Sequence, residues 1–187
     1  MTTRSVPKSI PTDEELMALP KDGYKRELLD GEIVMTPAGY DHGFESADLI
    51  ITLGSYVWSK KLGRLLDGQS GFRMASGDVL SPDVSFISTA RSPDLRVRGS
   101  FYEGAPDLAV EFLSPSESKK HVETKFSRYL SNQTKLVWIV DPRKRAVSVH
   151  RNNGTTQTLS EFEMLSGEEV IPGFTIAVKS LFADSPQ

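Results

Sequence analysis

The sequence contains no cysteine among its 187 residues. This absence excludes a disulfide scaffold, a thiol nucleophile and a zinc site built on thiolates, and it is typical of a reducing, cytoplasmic setting. The opening residues, MTTRSVPKSIP, lack the apolar core of a signal peptide. No apolar run approaches the roughly 20 residues of a membrane-spanning helix. We therefore expect a soluble cytoplasmic protein with no membrane partner.

An excess of basic charge is also lacking, since 22 Lys and Arg residues face 25 Asp and Glu residues, for a net charge of −3. Simple nucleic-acid-binding proteins usually carry a basic excess. Contact with phosphates needs only a local basic surface, so the net charge does not exclude nucleic acid. Such stretches exist, although each could equally be solvated surface charge: Arg91, Arg96 and Arg98; Lys119, Lys120, Lys125 and Arg128; Arg143, Lys144, Arg145 and Arg151.

The chain shows no internal repeat, low-complexity tract or interdomain linker. Its hydrophobic fraction of 38% and charged fraction of 25% are ordinary for a globular protein. We expect one α/β domain over residues 1–187, with a core over about residues 24–182 and a loose N-terminal arm over residues 1–12.

Capping residues, turn pairs and hydrophobic periodicity predict the element order. The apolar positions expected to face the core in the long helix are Ala47, Ile50, Ile51, Val57 and Trp58. The predicted order is a short helix from Thr12 through Leu19, a hairpin from Tyr24 to Thr36 that turns at Asp30 and Gly31, a helix over about 42–61 capped by Asp41, strands near 64–75 and 82–87, a long connection over 88–106, a strand over 107–113, a helix over 117–131, a strand over 136–140, and short antiparallel strands over 146–182 closed by a helical turn near Leu181.

Glu111 interrupts the strand Leu108-Ala109-Val110-Glu111-Phe112-Leu113. Alternation places Glu111 on the same face as Ala109 and Leu113, and both faces are otherwise apolar, as in a strand covered on both sides. A buried carboxylate there needs a partner or a metal ion. A structural salt bridge is the alternative to a functional role.

Asp83 begins the predicted strand over 82–87, in Ser81-Pro82-Asp83-Val84, although aspartate is a poor strand former. The Pro-Asp pair alone is weak evidence, because the chain holds two further pairs, at 93–94 and 106–107, and a turn explains most such pairs. Asp83 becomes a candidate site residue only in combination with the other candidates, Glu111 and Lys125.

Lys125 lies in the middle of the apolar stripe of the helix 117–131, between Val122, Phe126 and Tyr129. Lysine is seldom buried without a partner. Its ammonium group could extend to the edge of the stripe, or it could point at a carboxylate, with Glu111 as the obvious partner.

Two carboxylates on neighbouring strands and one lysine suit metal-dependent phosphodiester hydrolysis. Mg²⁺ or Mn²⁺ prefers oxygen ligands and lowers the pKa of a bound water. A lysine can orient or deprotonate that water and stabilise developing charge. The three histidines, His42, His121 and His150, lie too far apart for a short-spaced zinc motif.

At these residues the sequence resembles the bacterial restriction-endonuclease-like proteins of the Uma-two type, a branch of the PD-(D/E)xK nuclease superfamily. The similarity spans residues 24–182 and implies a core of one mixed sheet flanked by helices, to which this chain adds antiparallel hairpins. The blocks that carry the resemblance are Arg26-Glu27-Leu28-Leu29-Asp30-Gly31-Glu32-Ile33-Val34, His42-Gly43, Ser81-Pro82-Asp83-Val84, Gly104 to Ser116, Lys125 with Tyr129, Val137 to Pro142, and Pro172-Gly173-Phe174.

The resemblance implies that Asp83 and Glu111 are the two metal-binding acids. The superfamily's lysine would follow two positions after Glu111, where this chain has Leu113, and Lys125 matches the position to which the family moves it. Four further positions receive no firm role: Glu27 and His42 match recurrent family positions, Glu45 could supply the acid that many superfamily members carry in the first long helix, and His121 stands where family members often carry an acid.

These observations predict a Mg²⁺- or Mn²⁺-dependent endonuclease acting on DNA, with Asp83, Glu111 and Lys125 as catalytic residues and Asp83 and Glu111 as metal ligands. Because cutting both strands of a duplex needs two active sites, we expect a homodimer. The alternative is a non-catalytic nucleic-acid-binding or regulatory module that keeps the nuclease fold.

Overall fold

The computed structural model of the chain describes residues 11–20, 24–37, 40–91, 101–114 and 118–182. Most of the expected N-terminal arm and residues 92–100 of the long connection lie outside these ranges. The helices are α1 (Asp13–Met17), α2 (Tyr40–Lys60) and α3 (Lys119–Ser131), with a 3₁₀ turn at Val178–Leu181. The strands are β1 (Tyr24–Leu29), β2 (Glu32–Pro37), β3 (Gly63–Asp67), β4 (Phe72–Arg73), β5 (Val79–Leu80), β6 (Val84–Ser88), β7 (Tyr102–Glu103), β8 (Leu108–Phe112), β9 (Leu136–Asp141), β10 (Ala146–Arg151), β11 (Thr156–Ser160), β12 (Met164–Ser166) and β13 (Thr175–Ala177).

Two mixed sheets form most of the fold, which confirms the predicted α/β class. The larger sheet has the order β11-β10-β9-β8-β6-β3, in which only β8 and β9 run parallel. The smaller sheet has the order β2-β1-β5-β4-β7. A link of three residues, Ser81 to Asp83, carries the chain from β5 in the smaller sheet into β6 in the larger one.

Helices α2 and α3 bury different faces of the larger sheet. Leu108, Val110 and Phe112 of β8 pack in one hydrophobic cluster with α2. Ala109 packs in the other cluster, with Tyr129 of α3 and with residues of the smaller sheet. Glu111 therefore belongs to the α3 side of β8, as strand alternation predicts.

Local turn chemistry explains several boundaries. Thr12 and Glu15 form a reciprocal capping box at the start of α1. Asp30 and Gly31 both have positive φ, 53° and 77°, as the two-residue turn of the β1–β2 hairpin requires. Gly154, with φ of 84°, turns the chain between β10 and β11. The turn pairs Asp30-Gly31 and Asn153-Gly154 predict these two hairpins.

The predicted buried face of α2 is partly wrong. Val57 is buried, but Ile51 and Trp58 are 65% and 85% exposed, and Ala47 is also exposed. The core instead takes Leu49 and Leu53 with Val57, a stripe at spacing i, i+4, i+8. Apolar residues occur on more than one side of this helix, so helical spacing alone selected the wrong side.

Two boundaries also differ from the prediction. Helix α2 begins at Tyr40, so Asp41 lies inside its first turn rather than at its cap. The strand expected over 64–75 divides into β3 and β4, which belong to different sheets. A turn separates them, in which the Ser70 N–H donates to the Asp67 carbonyl. Within the described residues, no helix is both long and apolar enough to cross a membrane.

Candidate active site

The candidate site lies where the two sheets meet. Val84 of β6 pairs with Val110 of β8, and the same antiparallel register continued by one residue puts Asp83 opposite Glu111. The Asp83 carboxylate is fixed by the Phe112 N–H, which donates to Oδ2 over 2.9 Å. Both acids are buried. The structure thus brings together the two carboxylates that the sequence singled out.

Helix α3 contributes the third predicted residue. Lys125 is 3% exposed, and its Nζ lies 2.8 Å from Glu111 Oε1. Tyr129, one turn later in α3, donates its hydroxyl to the same Oε1 over 2.6 Å. Lys125 therefore does not extend to solvent along the edge of the stripe, and its ammonium group points into the site.

Strand β1 adds two charged residues that lie on one face of the strand because they are two positions apart. Glu27 accepts a hydrogen bond from the Ser81 N–H over 2.7 Å, and its Oε2 lies 3.1 Å from Lys125 Nζ. Lys25 Nζ lies 3.0 Å from Asp83 Oδ1. We call Lys25, Glu27, Asp83, Glu111 and Lys125 the ionic cluster.

Sequence reasoning missed part of this cluster. The sequence marks Glu27 only as a recurrent family position, and no pattern in it singles out Lys25. The available signal was weak: two charged residues alternate with Arg26 on a hairpin strand, and such a pattern is ordinary on a solvent-facing edge. Only the docking of the smaller sheet against the larger one buries Glu27 and partly buries Lys25.

The surroundings in the ionic cluster favour the charged form of Lys125 but not that of Glu111. Burial, together with the neighbouring charge of Asp83, raises the pKa of Glu111 to about 7, although Lys125 opposes the change. Burial alone would lower the pKa of Lys125, but Glu111, Glu27 and Asp83 outweigh it, so the pKa rises. Lys125 is therefore a cation at neutral pH, and Glu111 is the carboxylate that most readily holds a proton.

The surroundings favour the charged forms of both residues from β1, Lys25 and Glu27. Burial would raise the pKa of Glu27, but Lys125, Lys25 and the Ser81 N–H lower it below its ordinary value. Burial and Lys125 would lower the pKa of Lys25, whereas Asp83, Glu111 and Glu27 raise it, and the net change is upward. Both groups are charged at neutral pH. Glu111 is therefore the acid of the cluster whose charged form is disfavoured.

The donor set of the cluster fits a hard divalent cation. Within the ranges that the structure covers, no three His, Cys, Asp or Glu side chains are grouped as a metal site. Asp83 and Glu111 supply two carboxylates, and Mg²⁺ commonly binds through one or two carboxylates and keeps several waters. Burial and the charge of Asp83 raise the pKa of Glu111, and a cation between the two acids would oppose both effects.

The residues without a firm role lie in different places. Glu45 is buried on α2. The His42 side chain lies outside the described residues. The N–H of His121 donates to Ser118 Oγ in the first turn of α3. His150 stacks on Phe126, with ring centroids 4.3 Å apart, and burial lowers its pKa.

Most of the basic residues proposed to contact phosphates form ion pairs within the chain. The acceptors are Glu123 for Lys119, Asp30 and Asp78 for Arg128, Asp141 for Lys144, Glu161 for Arg145 and Glu168 for Arg151. Arg96 and Arg98 lie outside the described residues. These pairs favour the interpretation of the basic stretches as surface charge over that of a ready-made phosphate-binding surface.

Comparison with known proteins identifies the family. The family model described as "Uma2: Putative restriction endonuclease" matches residues 13–179, most of the chain. The chain belongs to the Uma2 family. The resemblance seen in the sequence blocks is thereby confirmed.

The Uma2 assignment agrees with a similarity in fold. A crystal structure described as "a putative nuclease belonging to DUF820 from Anabaena variabilis" superposes with a TM-score of 0.79 and 21% identity, covering 92% of this chain and 97% of that chain. At this identity the similarity establishes the fold alone. No curated protein matches the chain in sequence.

Proposed function

We propose that this Uma2-family protein is a metal-dependent endonuclease that hydrolyses DNA phosphodiester bonds. One observation carries the proposal: Asp83, directly before β6, lies opposite Glu111 of the neighbouring strand β8, and a buried ammonium group contacts Glu111. Such a set combines cation binding with a fixed positive charge beside the reacting phosphate. Membership of a family described as "Putative restriction endonuclease" supports the same chemistry.

Asp83 and Glu111 are the residues that would hold Mg²⁺ or Mn²⁺. An ion bound there supplies a water of lowered pKa and neutralises charge that develops on the phosphate. The hydrogen bond from the Phe112 N–H sets the orientation of Asp83 in advance. Glu111 is oriented in the same way by the Tyr129 hydroxyl, whose raised pKa, caused by burial and by Glu111, keeps it a donor.

Lys125 acts as a donor and a positive charge rather than as a base. Its pKa is raised, so a proton is not lost from Nζ at neutral pH. From its position beside Glu111 it can orient a water and stabilise negative charge on a phosphoryl oxygen. Glu27 holds Lys125 from the opposite side, and this contact gives Glu27 a positioning role.

Lys25 serves as the cation for Asp83 when no metal ion is bound. Lys25 contacts Asp83 Oδ1, an oxygen that a bound metal ion would also need. Because the two cations compete for this oxygen, Lys25 weakens metal binding while it stabilises the metal-free protein. With an ion held by Asp83, the Lys25 ammonium group would be available to donate to a phosphate oxygen.

One observation favours a second function, that of a nucleic-acid-binding or regulatory module that does not cut. Asp83 and Glu111 each already contact a lysine of the same chain. A site neutralised internally in this way would hold the fold together without a metal ion. The nuclease function requires that a divalent ion displace Lys25 from Asp83, whereas the second function does not.

The test is thermal melting with increasing Mn²⁺ in the wild type and in Asp83→Asn. A ligand of the native state raises the melting temperature, so the wild type should shift and Asp83→Asn should not. Asp107→Asn is the matched control, because Asp107 is also buried and also follows a proline, yet lies at the other end of β8. An equal shift in Asp83→Asn and wild type would remove Asp83 from the metal site.

Lys25→Met sharpens the same measurement. Removing the competing ammonium group should lower the melting temperature of the metal-free protein and enlarge the shift that Mn²⁺ produces. Cleavage of plasmid DNA with Mg²⁺ then separates the two functions. A wild type that binds Mn²⁺ and DNA but leaves the plasmid intact with either ion would establish the regulatory module instead.

A further inference from the structure

A cavity of about 360 Å³ lies between the first half of α3 and strands β9 and β10. This volume is within the range of about 300–1,000 Å³ that is usual for sites that bind small organic groups. Val122 and Phe126 of α3 form one wall, and Ile139, Ser148 and His150 lie on the floor, which is the face of the larger sheet. We call this cavity the α3 cleft.

The α3 cleft contains a pair of stacked aromatic rings. The rings of Phe126 and His150 have centroids 4.3 Å apart and an angle of 21° between their planes. His150 Nδ1 lies 3.2 Å from Thr156 Oγ1 on the neighbouring strand β11, and this contact holds the imidazole ring in place. Every nucleobase has a flat face that can stack on aromatic side chains. The lining of the α3 cleft therefore fits a flat aromatic group.

The rim of the α3 cleft carries one more positive than negative charge. Lys119 pairs with Glu123 over 3.6 Å, and Lys144 pairs with Asp141 over 3.0 Å, so these four charges balance. Arg143 is exposed and has no acidic partner among the residues that the structure describes. A guanidinium group binds phosphate well. An apolar cleft with such a cation at its rim fits a ligand that joins a flat ring to a phosphate.

The α3 cleft begins one strand away from Glu111. Glu111 of β8 pairs with Ile139 of β9, and Ile139 pairs with Ser148 of β10, so the three residues form one row on the same face of the sheet. At a strand spacing of about 4.8 Å, Ser148 lies about 10 Å from Glu111 along this row. One strand of DNA rises about 3.4 Å per nucleotide, so this distance corresponds to about three nucleotides.

We propose that the α3 cleft binds one unpaired nucleotide of the DNA strand that is cut, with the base against Phe126 and His150 and a phosphate at Arg143. The choice of strand rests on the proposed nuclease function, whereas the nucleotide chemistry rests on the cleft itself. A base inside a duplex is stacked and paired, so it must leave the helix before it can enter a concave cleft. The protein should therefore prefer DNA with an unpaired nucleotide over a perfect duplex.

Binding in EDTA tests this preference separately from cleavage. Fluorescence anisotropy compares a perfect duplex, the same duplex with one bulged nucleotide, and the bulged duplex with an abasic residue at the bulge. The duplex with the bulged base should bind about tenfold more tightly than the other two, because base stacking on aromatic side chains is lost from both. Equal affinity for the bulged and perfect duplexes, or for the bulge with and without its base, would overturn the proposal.

Variants test whether the preference originates in the α3 cleft. Ser148→Met should abolish the preference for the bulge, because the long methionine side chain fills irregular space. Phe126→Leu should reduce it, because leucine remains apolar but removes the stacking ring. Melting profiles establish that each variant is folded. A folded Ser148→Met protein that keeps the full preference would overturn the proposal.

Arg143→Gln tests the phosphate contact at an exposed position that the fold does not need. The slope of log affinity against log salt concentration should become shallower by about 0.7 to 0.9, the value for one lost phosphate contact. Lys60→Gln is the matched control, because Lys60 is also exposed but lies on α2, which packs on the other face of the larger sheet. An unchanged slope in Arg143→Gln would remove the phosphate from this rim.

Competition with deoxyadenosine monophosphate distinguishes a strand from a free nucleotide. The monophosphate should displace the bulged duplex only at much higher concentration than an unlabelled bulged duplex does. Equal competition would assign the α3 cleft to free nucleotides and overturn the proposal of a strand. If the preference is present and Ser148→Met abolishes it, but plasmid stays intact with Mg²⁺, the nuclease function fails while the site stands. Cleavage by a wild type without the preference gives the opposite result.

Discussion

The two ends of strand β8 hold two buried acids in opposite electrostatic situations. Asp107 precedes the strand, and Glu111 lies near its end, about 13 Å away at the usual rise per residue. Asp107 accepts a hydrogen bond from the Ser88 N–H and lies 3.2 Å from Lys135 Nζ and 3.5 Å from Arg91 Nη1. Burial alone would raise the pKa of Asp107, but these contacts outweigh it and lower the pKa.

Glu111 differs because its neighbours include acids. Lys125 and Tyr129 contact it, yet burial and Asp83 raise its pKa to about 7. Asp107 is therefore stabilised in its charged form, whereas Glu111 is not. A carboxylate whose surroundings oppose its charge is typical of a functional site, and a carboxylate whose surroundings favour its charge is typical of a structural role.

The largest expected effect contrasts Lys125 with Lys135, the lysines at the two ends of β8. Lys125→Met should lower the turnover of DNA cleavage by about 10²–10³, because a preorganised charge is lost from the site. Methionine keeps the apolar stem, so the fold should persist. Lys135→Met should leave turnover unchanged. A folded Lys125→Met protein with full activity would show that this lysine only packs.

The next effect concerns stability in the metal-free protein. Asp107→Asn should reduce the free energy of unfolding by about 2 kcal/mol, because it removes a charged acceptor and leaves Arg91 and Lys135 uncompensated. Glu111→Gln should cost clearly less, because it removes a charge that Asp83 opposes. Urea unfolding of both variants measures the difference. Equal losses would mean that the two ends of β8 do not differ as described.

The smallest effect is the pH dependence of metal binding. Glu111 must lose its proton to bind a cation, so Mn²⁺ affinity should rise about tenfold per pH unit up to about pH 7 and then level off. In the metal-free protein the raised pKa has the opposite consequence. The folded state holds the Glu111 proton more tightly than the unfolded state, so this contribution to stability is present below about pH 4.5 and is lost as the pH rises to about 7.

Calorimetric titration with Mn²⁺ between pH 5.5 and 8 measures the first trend. Asp107→Asn should give the same profile as the wild type, because the pKa of Asp107 is shifted in the opposite direction and Asp107 lies at the other end of β8 from Glu111. An affinity that does not change across this range would contradict the role of Glu111 as a ligand.

The sequence predicted most elements of the fold because local patterns determine them. The Asp30-Gly31 pair specified the first hairpin, and alternation in β8 specified which face carries Glu111. The orientation of α2 was not predictable from spacing, since Ile51 and Trp58 recur at helical intervals just as Leu53 and Val57 do. Which stripe enters the core depends on residues far away in the chain.

The site was predictable to the extent that its members interrupt apolar patterns. Asp83, Glu111 and Lys125 each stand where an apolar or strand-forming residue is expected, and the structure brings all three together. Lys25 interrupts no pattern, because charged residues are ordinary on a hairpin. The partial burial of Lys25 follows from the packing of two sheets, which no local pattern encodes.

The way the ionic cluster is assembled has a consequence for incomplete chains. Its members come from β1, the link at Asp83, β8 and α3, so no fragment shorter than residues 25–125 contains them all. A chain interrupted during synthesis before α3, or cleaved between the hairpin and β6, retains some of the carboxylates without the full set of cations. Any chemistry that needs the whole ionic cluster is thus confined to the finished molecule.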